Sequence, residues 1–384
     1  MPLTMDSCTS AAGTAPLGPP AGPEPFPYEI AGAHADLGTV VAMDDWAERT
    51  QVPDRHRPGR HLSGATVTRL LGVRGKSWDP AHFADLGPVV AVARQALDHA
   101  GLSPRDITTV VVVTCTPYQV MLDQDAFALM RRLGIPDHVP PVQLGAGCGG
   151  MARAAAVVSA MRAERALVVA YNITSRVSTG ADGTLLPQYA GNTAHPYGRN
   201  MWASPALFSD GAAALVLRRE ADADGVLLYS RDSLSFDGGP GITDPLIHVL
   251  GGGGSHPAGT PGADELSAYG MNSPEIRRYY STGMALNHEA LEYARPGYLK
   301  EITRLYTHQA HPFLVDAFLS EADIPAELAP GNARAIGNTA APSTLALLHA
   351  DLEAGRLVPG DVVCLSVVGS GPERGAFLAP LAVR

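Results

Sequence analysis

One stretch narrows the choice of fold more than any other: Val142 to Arg165, which reads V-Q-L-G-A-G-C-G-G-M-A-R-A-A-A-V-V-S-A-M-R-A-E-R. Met151 to Ala163 is rich in alanine and carries only two arginines, so it predicts a helix with no polar face, one that has to be buried. Just before it, Cys148 stands between glycines where a short apolar approach turns into the helix, and Gly145, Gly147, Gly149 and Gly150 let the backbone turn sharply there. A thiol near a helix N-terminus meets unpaired N–H groups and the positive end of the dipole, which favour a thiolate and bring its pKa into roughly the 3.5–7.5 range. The stretch therefore reads as a nucleophile turn, with a packed, inert core cysteine as the alternative.

The segments around it alternate between helix and strand. Leu86 to Ala100 has helical apolar spacing and ends at Gly101; Ile107 to Thr114 is an unbroken β-branched run; a helix follows from Asp125 to Leu133. Val142 to Leu144 and Ala166 to Tyr171 read as strands flanking the Cys148 helix. A polar loop from Asn172 to Ser204 leads to a turn at Asp210-Gly211 and a strand to Arg218, then to a strand at Gly225 to Asp232. Phe236 to Gly270, with the run Gly251 to Gly254, has loop character. The last part repeats the logic: helices at Ser273 to Ala294, Pro312 to Leu319 and Ser343 to Glu353, strands at Leu305 to Thr307 and Val362 to Val368, and a brief extended piece at Ala335 to Ile336. Near the start, Tyr28 to Ala33 and Gly38 to Val41 read as a hairpin, and Asp44 to Arg49 as an exposed turn of helix. The expected architecture is an α/β layered fold with a largely parallel sheet, in two similar halves dividing near residue 220: a flexible leader 1–27, a first half 28–219 and a second half 220–384.

Composition excludes several classes. Hydrophobic residues make up 46% and charged residues 17%, and no apolar run is long enough to span a membrane. The leader is rich in Pro, Gly, Ala and Ser without a signal-peptide pattern. Four scattered cysteines, Cys8, Cys115, Cys148 and Cys364, show neither disulfide nor zinc spacing and suit a reducing cytoplasm; Cys115 and Cys364 lie on apolar strands and read as packing residues. A net charge of −10 argues against a nucleic-acid binder, although Arg49, Arg55, Arg57, Arg60, Arg69, Arg74 and Lys76 face only Asp54 and suit a phosphate, an acidic protein partner or simply water.

Taken together, G-A-G-C-G-G-M at Cys148, Y-T-H-Q-A-H at His308, G-N-T-A-A-P-S at Asn338 and the closing V-V-G-S-G-P-E-R-G-A resemble the ordered signature of ketoacyl-carrier-protein synthase III enzymes, thiolase-fold condensing enzymes. L-F-S-D-G-A-A-A-L-V-L, T-C-T-P at Thr114 to Pro117 and D-D-W at Asp44 to Trp46 add to it, and the resemblance runs from about Tyr28 to the C-terminus. It implies a five-layer α/β/α/β/α fold of two pseudo-repeated halves and, usually, a homodimer. It also implies a nucleophilic Cys148, with His308 and Asn338 hydrogen-bonding the second thioester, and an oxyanion hole from the Cys148 N–H and an N–H near Gly371. Trp46, with Arg49 nearby, matches a region that stacks on the adenine of coenzyme A. Acyl-coenzyme A or acyl-carrier-protein thioesters are the implied substrates, with no metal or redox cofactor needed, no nucleic acid and no membrane.

The chain also departs from the pattern. His311, Pro312 and Phe313 stand where the family usually has asparagine and then a basic residue, Glu373 and Arg374 stand where an aromatic pair is common, and the loop from Asn172 to Ser204 is longer and carries His195, Tyr197 and Trp202. These departures suggest a specialised, polyketide or fatty-acid-like secondary pathway. Asp123 and Asp125 read first as N-caps of the following helix and second as candidate bases, since some non-decarboxylating relatives use a carboxylate from this region. The leading expectation is a carbon–carbon bond-forming acyltransferase. The same fold passing its acyl group to a hydroxyl or amine, and a non-catalytic partner subunit, are the alternatives.

Overall fold

The computed structural model of the protein describes residues 22–54, 57, 59–120, 122–190, 201–231, 246–249, 269–369 and 371–382. Residues 1–21 of the leader, Arg55, His195 and Tyr197 of the long loop, and Gly251 to Gly254 lie outside the described residues. In chain order the strands are β1 (Glu24–Phe26), β2 (Tyr28–Asp36), β3 (Val40–Ala42), β4 (Gly75–Ser77), β5 (Thr109–Thr114), β6 (Pro141–Gly145), β7 (Arg165–Asn172) and β8 (Gly211–Arg219). They continue with β9 (Gly225–Arg231), β10 (Ile247–Val249), β11 (Tyr269–Met271), β12 (Arg304–Thr307), β13 (Val362–Gly369) and β14 (Glu373–Pro380).

Two five-stranded sheets form the frame, in the orders β2-β8-β7-β5-β6 and β1-β9-β14-β13-β12. Four strands of each follow the same plan: β2-β8-β7-β5 and β9-β14-β13-β12 both run antiparallel, antiparallel, parallel. β6 extends the first sheet in parallel beyond β5, and β1 extends the second beyond β9. Both sheets are thus mixed rather than largely parallel, a correction to the expectation from helix–strand alternation. Between β13 and β14 there is room only for a tight turn, which can join antiparallel strands but not parallel ones.

The helix predicted to be buried after Cys148, and the helix Ser343–Glu353 of the second half, lie between the sheets. Gly150–Ala160 buries Met151, Ala152, Ala154, Ala155 and Val158, and Ser343–Glu353 buries Leu345, Leu347 and Leu348. Both belong to one core that takes Val111 and Val168 from the first sheet and Leu365 and Phe377 from the second. Alanine-sized side chains let strands close on such a helix from both sides. Gly87–His99 and Gln124–Leu133 cover the outer face of the first sheet; Ser273–Ala294 and Pro312–Glu321 cover that of the second. The result is a five-layer α/β/α/β/α stack. Among the described residues no helix is long and apolar enough to cross a membrane.

Three local expectations are corrected. Tyr28 to Ala33 does not form a hairpin with Gly38 to Val41: β2 pairs with β8, and β3 with β4. A two-stranded hairpin would leave Tyr28, Ile30 and Ala33 in water, whereas in the sheet all three are buried. At Gly32 a Cβ would stand 2.2 Å from the Ala96 carbonyl oxygen, so only glycine lets β2 lie this close to the helix Gly87–His99. The leader, read as reaching residue 27, already forms β1 at Glu24–Phe26, with Phe26 buried. Ala335 and Ile336 are helical, in Ala333–Ile336, because the side-chain carbonyl of Gln309 accepts from the N–H groups of Asn332 and Ala333 at its start.

Candidate active site

The turn after β6 meets the ends of β12 and β13 at one cavity of about 160 Å³. Cys148, His308 and Asn338 all line it, together with Cys115, Tyr280 and Gly369. Three residues far apart in the chain therefore face a single space.

Each is held by backbone and neighbours. The His308 N–H donates to the Ser366 carbonyl at 2.8 Å and its carbonyl accepts from the Tyr280 hydroxyl at 3.0 Å. Its Nδ1 is 2.8 Å from Ser343 Oγ, while Nε2 is buried with no partner among the described residues. Burial pushes the imidazole down to about 3, so it is neutral at physiological pH. Asn338 Oδ1 accepts from the Ala340 N–H at 2.8 Å, which fixes the amide orientation. Its Nδ2 is left to donate to the Ala310 carbonyl at 3.2 Å and toward Cys148 Sγ at 3.9 Å. The backbone of Asn338 is tied to Leu207 and Ser209 of the first half, through a 2.9 Å bond to the Leu207 carbonyl and a 2.8 Å bond from the Ser209 N–H.

Cys148 sits two residues before the helix Gly150–Ala160, with Gly149 as its N-cap. The expected acidic thiol is not found. Burial, reinforced by the neighbouring Cys115 and Glu373 and opposed by the Asn338 amide, pushes the thiol up to about 12. The cysteine lies outside the first helical turn, where the dipole acts most strongly, and the apolar walls remove the water a thiolate would need. Cys148 rests as a thiol.

The other candidates separate. Gly371 is exposed and does not line the cavity; the end of β13 reaches Cys148 through Gly369, where a Cβ would lie 2.1 Å from the Gly149 nitrogen. Asp125 is buried at 1% and accepts from the N–H groups of Tyr118 and Gln119 at 2.7 and 3.2 Å and from the Tyr171 hydroxyl at 2.5 Å. With its lone pairs committed to closing that loop, it is not placed as a base. Asp123 is exposed at the N-cap position of Gln124–Leu133 but makes no side-chain cap bond, and neither aspartate lines the cavity of this chain. Trp46 is 1% exposed, edge-on to Trp78 and under the Lys76 ammonium, so no face is open for an adenine; the helix Met43–Thr50 is amphipathic and turns it inward. Arg49 stays exposed at the end of the same helix and also lies off the cavity.

Cys115, read as a packing residue, instead opens onto the cavity, its thiol donating to Asn172 Oδ1 at 3.3 Å and pushed up to about 11 by burial. Cys364 is fully buried in β13. His311 caps Pro312–Glu321, its Nδ1 accepting from the Phe313 N–H at 3.3 Å, and burial pushes it down to about 4. Lys76 was visible only as part of a basic stretch. In the fold it is buried, and its ammonium donates to the carbonyls of Ala206 and Phe208, beside the cavity wall.

Residues 297–380 match the model of the 3-Oxoacyl-[acyl-carrier-protein (ACP)] synthase III C-terminal family. The beta-ketoacyl-[acyl-carrier-protein] synthase III of Oleidesulfovibrio alaskensis is 31% identical over 349 residues, covering 88% of this chain and 91% of that protein. Acetoacetyl CoA synthase NphT7 of Streptomyces sp. (strain CL190) is 28% identical over 79% of this chain and 86% of its own length. Among solved structures, the priming beta-ketosynthase from the R1128 polyketide biosynthetic pathway superposes with a TM-score of 0.70 at 19% identity, covering 94% of this chain and 98% of that one. With its layered fold and these relatives, the chain belongs to the beta-ketoacyl-[acyl-carrier-protein] synthase III family.

Proposed function

We propose that the protein loads an acyl group from a thioester onto Cys148 and condenses it with a malonyl-type thioester, forming a carbon–carbon bond. The observation that carries this is the convergence of Cys148 Sγ, Asn338 Nδ2 and the unpartnered His308 Nε2 on one cavity with mostly apolar walls, including Leu246, Met271 and Ile276. Such walls suit an acyl chain.

In the loading step Cys148 Sγ attacks the acyl carbonyl, a sulfur–carbon bond forms, and the donor thiol leaves. The thiol proton passes through His308 Nε2 to the departing sulfur. Because the resting thiol ionises poorly, this transfer accompanies the attack rather than preceding it. In the second step the malonyl group loses carbon dioxide, and the enolate oxygen accepts hydrogen bonds from Asn338 Nδ2 and His308 Nε2–H. Ser343 serves both forms of the ring, since a hydroxyl can either accept from Nδ1 or donate to it. The enolate carbon then attacks the acyl carbonyl, whose oxyanion is met by the Cys148 N–H and the adjoining backbone of Gly369. Collapse releases the Cys148 sulfur, which takes up the proton consumed by decarboxylation.

The acyl donor is a coenzyme A or carrier-protein thioester in this proposal, and the pathway is polyketide-like, a proposal supported by the likeness to a priming polyketide synthase. Two copies are proposed to pair along β6, whose outer edge has no strand beside it among the described residues, with exposed Val120, Leu122 and Phe127 nearby. The test is intact mass after incubation with a panel of acyl thioesters. An acyl adduct absent in Cys148→Ala, followed by carbon dioxide release and a ketone on adding malonyl thioester, is expected. An ester or amide without decarboxylation would replace condensation by simple transfer.

A further inference from the structure

Glu373, the first residue of β14, is 1% exposed and lies against the nucleophile turn. A Cβ built on Gly149 would stand 2.4 Å from Glu373 Cγ and 3.1 Å from its Oε1, so the missing side chain at 149 is the space the glutamate occupies. Oε2 accepts from Arg153 Nε at 2.6 Å and from the Tyr229 hydroxyl at 3.1 Å. Oε1 is buried without a partner among the described residues. A carboxylate oxygen left unpaired in a dry place is costly, and a pairing with Arg153 alone does not require it to face Gly149. Arg153 belongs to the very helix that the nucleophile turn opens.

The position has an electrostatic meaning. Negative charge held against Gly149, beside the thiol, opposes a second negative charge on Cys148. We propose that the buried Glu373–Arg153 pair is a positioning pair for the nucleophile turn: it fixes the backbone at Gly149 and tunes how readily Cys148 ionises. This rests on Cys148 being the nucleophile. Among the described residues, the groups lining the cavity beside the thiol include Cys115 just after β5, Tyr280 from Ser273–Ala294, His308 after β12 and Asn338 after Ala333–Ile336, while Glu373 from β14 lies behind Gly149, off the cavity. Cys115 and Tyr280 are pushed up by burial and His308 down to about 3, so all three are neutral near pH 7. Among the described residues, charge near the thiol at that pH is left to Glu373 and, behind it, Arg153. Tyr229 from β9 completes the surroundings of the carboxylate.

The two halves of the pair act in opposite senses, which separates this role from packing alone. In a Cys115→Ala background, the rate of iodoacetamide alkylation at Cys148 is followed by mass across pH 7 to 10. Glu373→Gln removes the negative charge and leaves Arg153, so alkylation at a given pH rises about tenfold, the equivalent of one unit in the thiol's ionisation. Arg153→Met leaves the carboxylate unneutralised, so alkylation slows by a similar factor, and Arg153→Lys restores the parent rate. Both variants moving the rate in the same direction, or neither moving it, overturns the proposal. Should Glu373→Gln fail to fold by circular dichroism, the Met and Lys variants at 153 decide it: slower and restored support the pair, equal rates refute it. Alkylation reads the thiol without turnover, so a chain that alkylates as described but never forms an acyl adduct would refute the nucleophile assignment and leave the pair standing.

Discussion

At the residue scale, the identity of the three central side chains was legible because each stands at the end of a strand or just before a helix, where a short motif marks it: G-C-G-G, H-Q-A-H and G-N-T. What was not legible was their state. A local rule about helix ends predicts an acidic thiol, but the desolvation that raises it comes from walls supplied by elements far apart in the chain. Trp46 misled for a related reason, since nothing near it in sequence shows that Lys76 and Trp78 close over it. Two substitutions test the residue assignments. Asn338→Asp replaces the amide donors by a carboxylate facing Sγ, and condensation is expected to fall about 100-fold or more, measured by carbon dioxide release, while acyl loading of Cys148 survives. Gly369→Ala places a methyl 2.1 Å from the Gly149 nitrogen, backbone that cannot yield cheaply, so adduct formation itself should be lost in the mass assay.

At the scale of elements, the predicted helices and central strands were recovered where apolar residues are periodic or continuous, as in Gly87–His99, Thr109–Thr114 and Ser343–Glu353. Pairing was less legible, because β2 finds its partner β8 across most of the first half and no local signal names that partner. Lys76 in β4 is the sharpest such case. Its ammonium is pushed down to about 7 by burial, opposed by Asp210, and it ties β4 to the segment that carries Phe208 into the cavity wall. Lys76→Met leaves those carbonyls unsatisfied and Asp210 without its counter-charge, and should cost about 3–5 kcal/mol in urea unfolding. The proposed pairing along β6 makes a separate prediction: Leu122, 76% exposed, becomes buried between copies, so Leu122→Asp should shift the mass seen by light scattering from dimer to monomer.

At the scale of the whole molecule, two half-buried histidines outside the site, His34 and His349, weigh on acid stability. His34 and His349 face each other with ring centroids 4.3 Å apart, His99 lies 5.4 Å from His34, and burial first, then the neighbouring ring, lowers both His34 and His349, the latter to about 4. A histidine lowered in the folded state contributes stability that is complete above its ordinary pKa near 6.5 and is lost as pH falls toward the folded value. Unfolding midpoints in urea should therefore drop between pH 6.5 and 4, and His349→Gln should flatten that drop relative to the parent. The repeat of strand order, β2-β8-β7-β5 against β9-β14-β13-β12, was visible in outline as two similar halves, but the exchange at their start was not. β1 and β2 are neighbours in sequence, separated by Pro27 alone, yet they enter different sheets. A ribosome making this chain produces β1 long before β9, the strand it pairs with, and β9 in turn waits for β14 near the far end. The Glu373 carboxylate arrives with that last strand, so a nascent chain carries Cys148 for most of its synthesis without the surroundings that keep the thiol quiet.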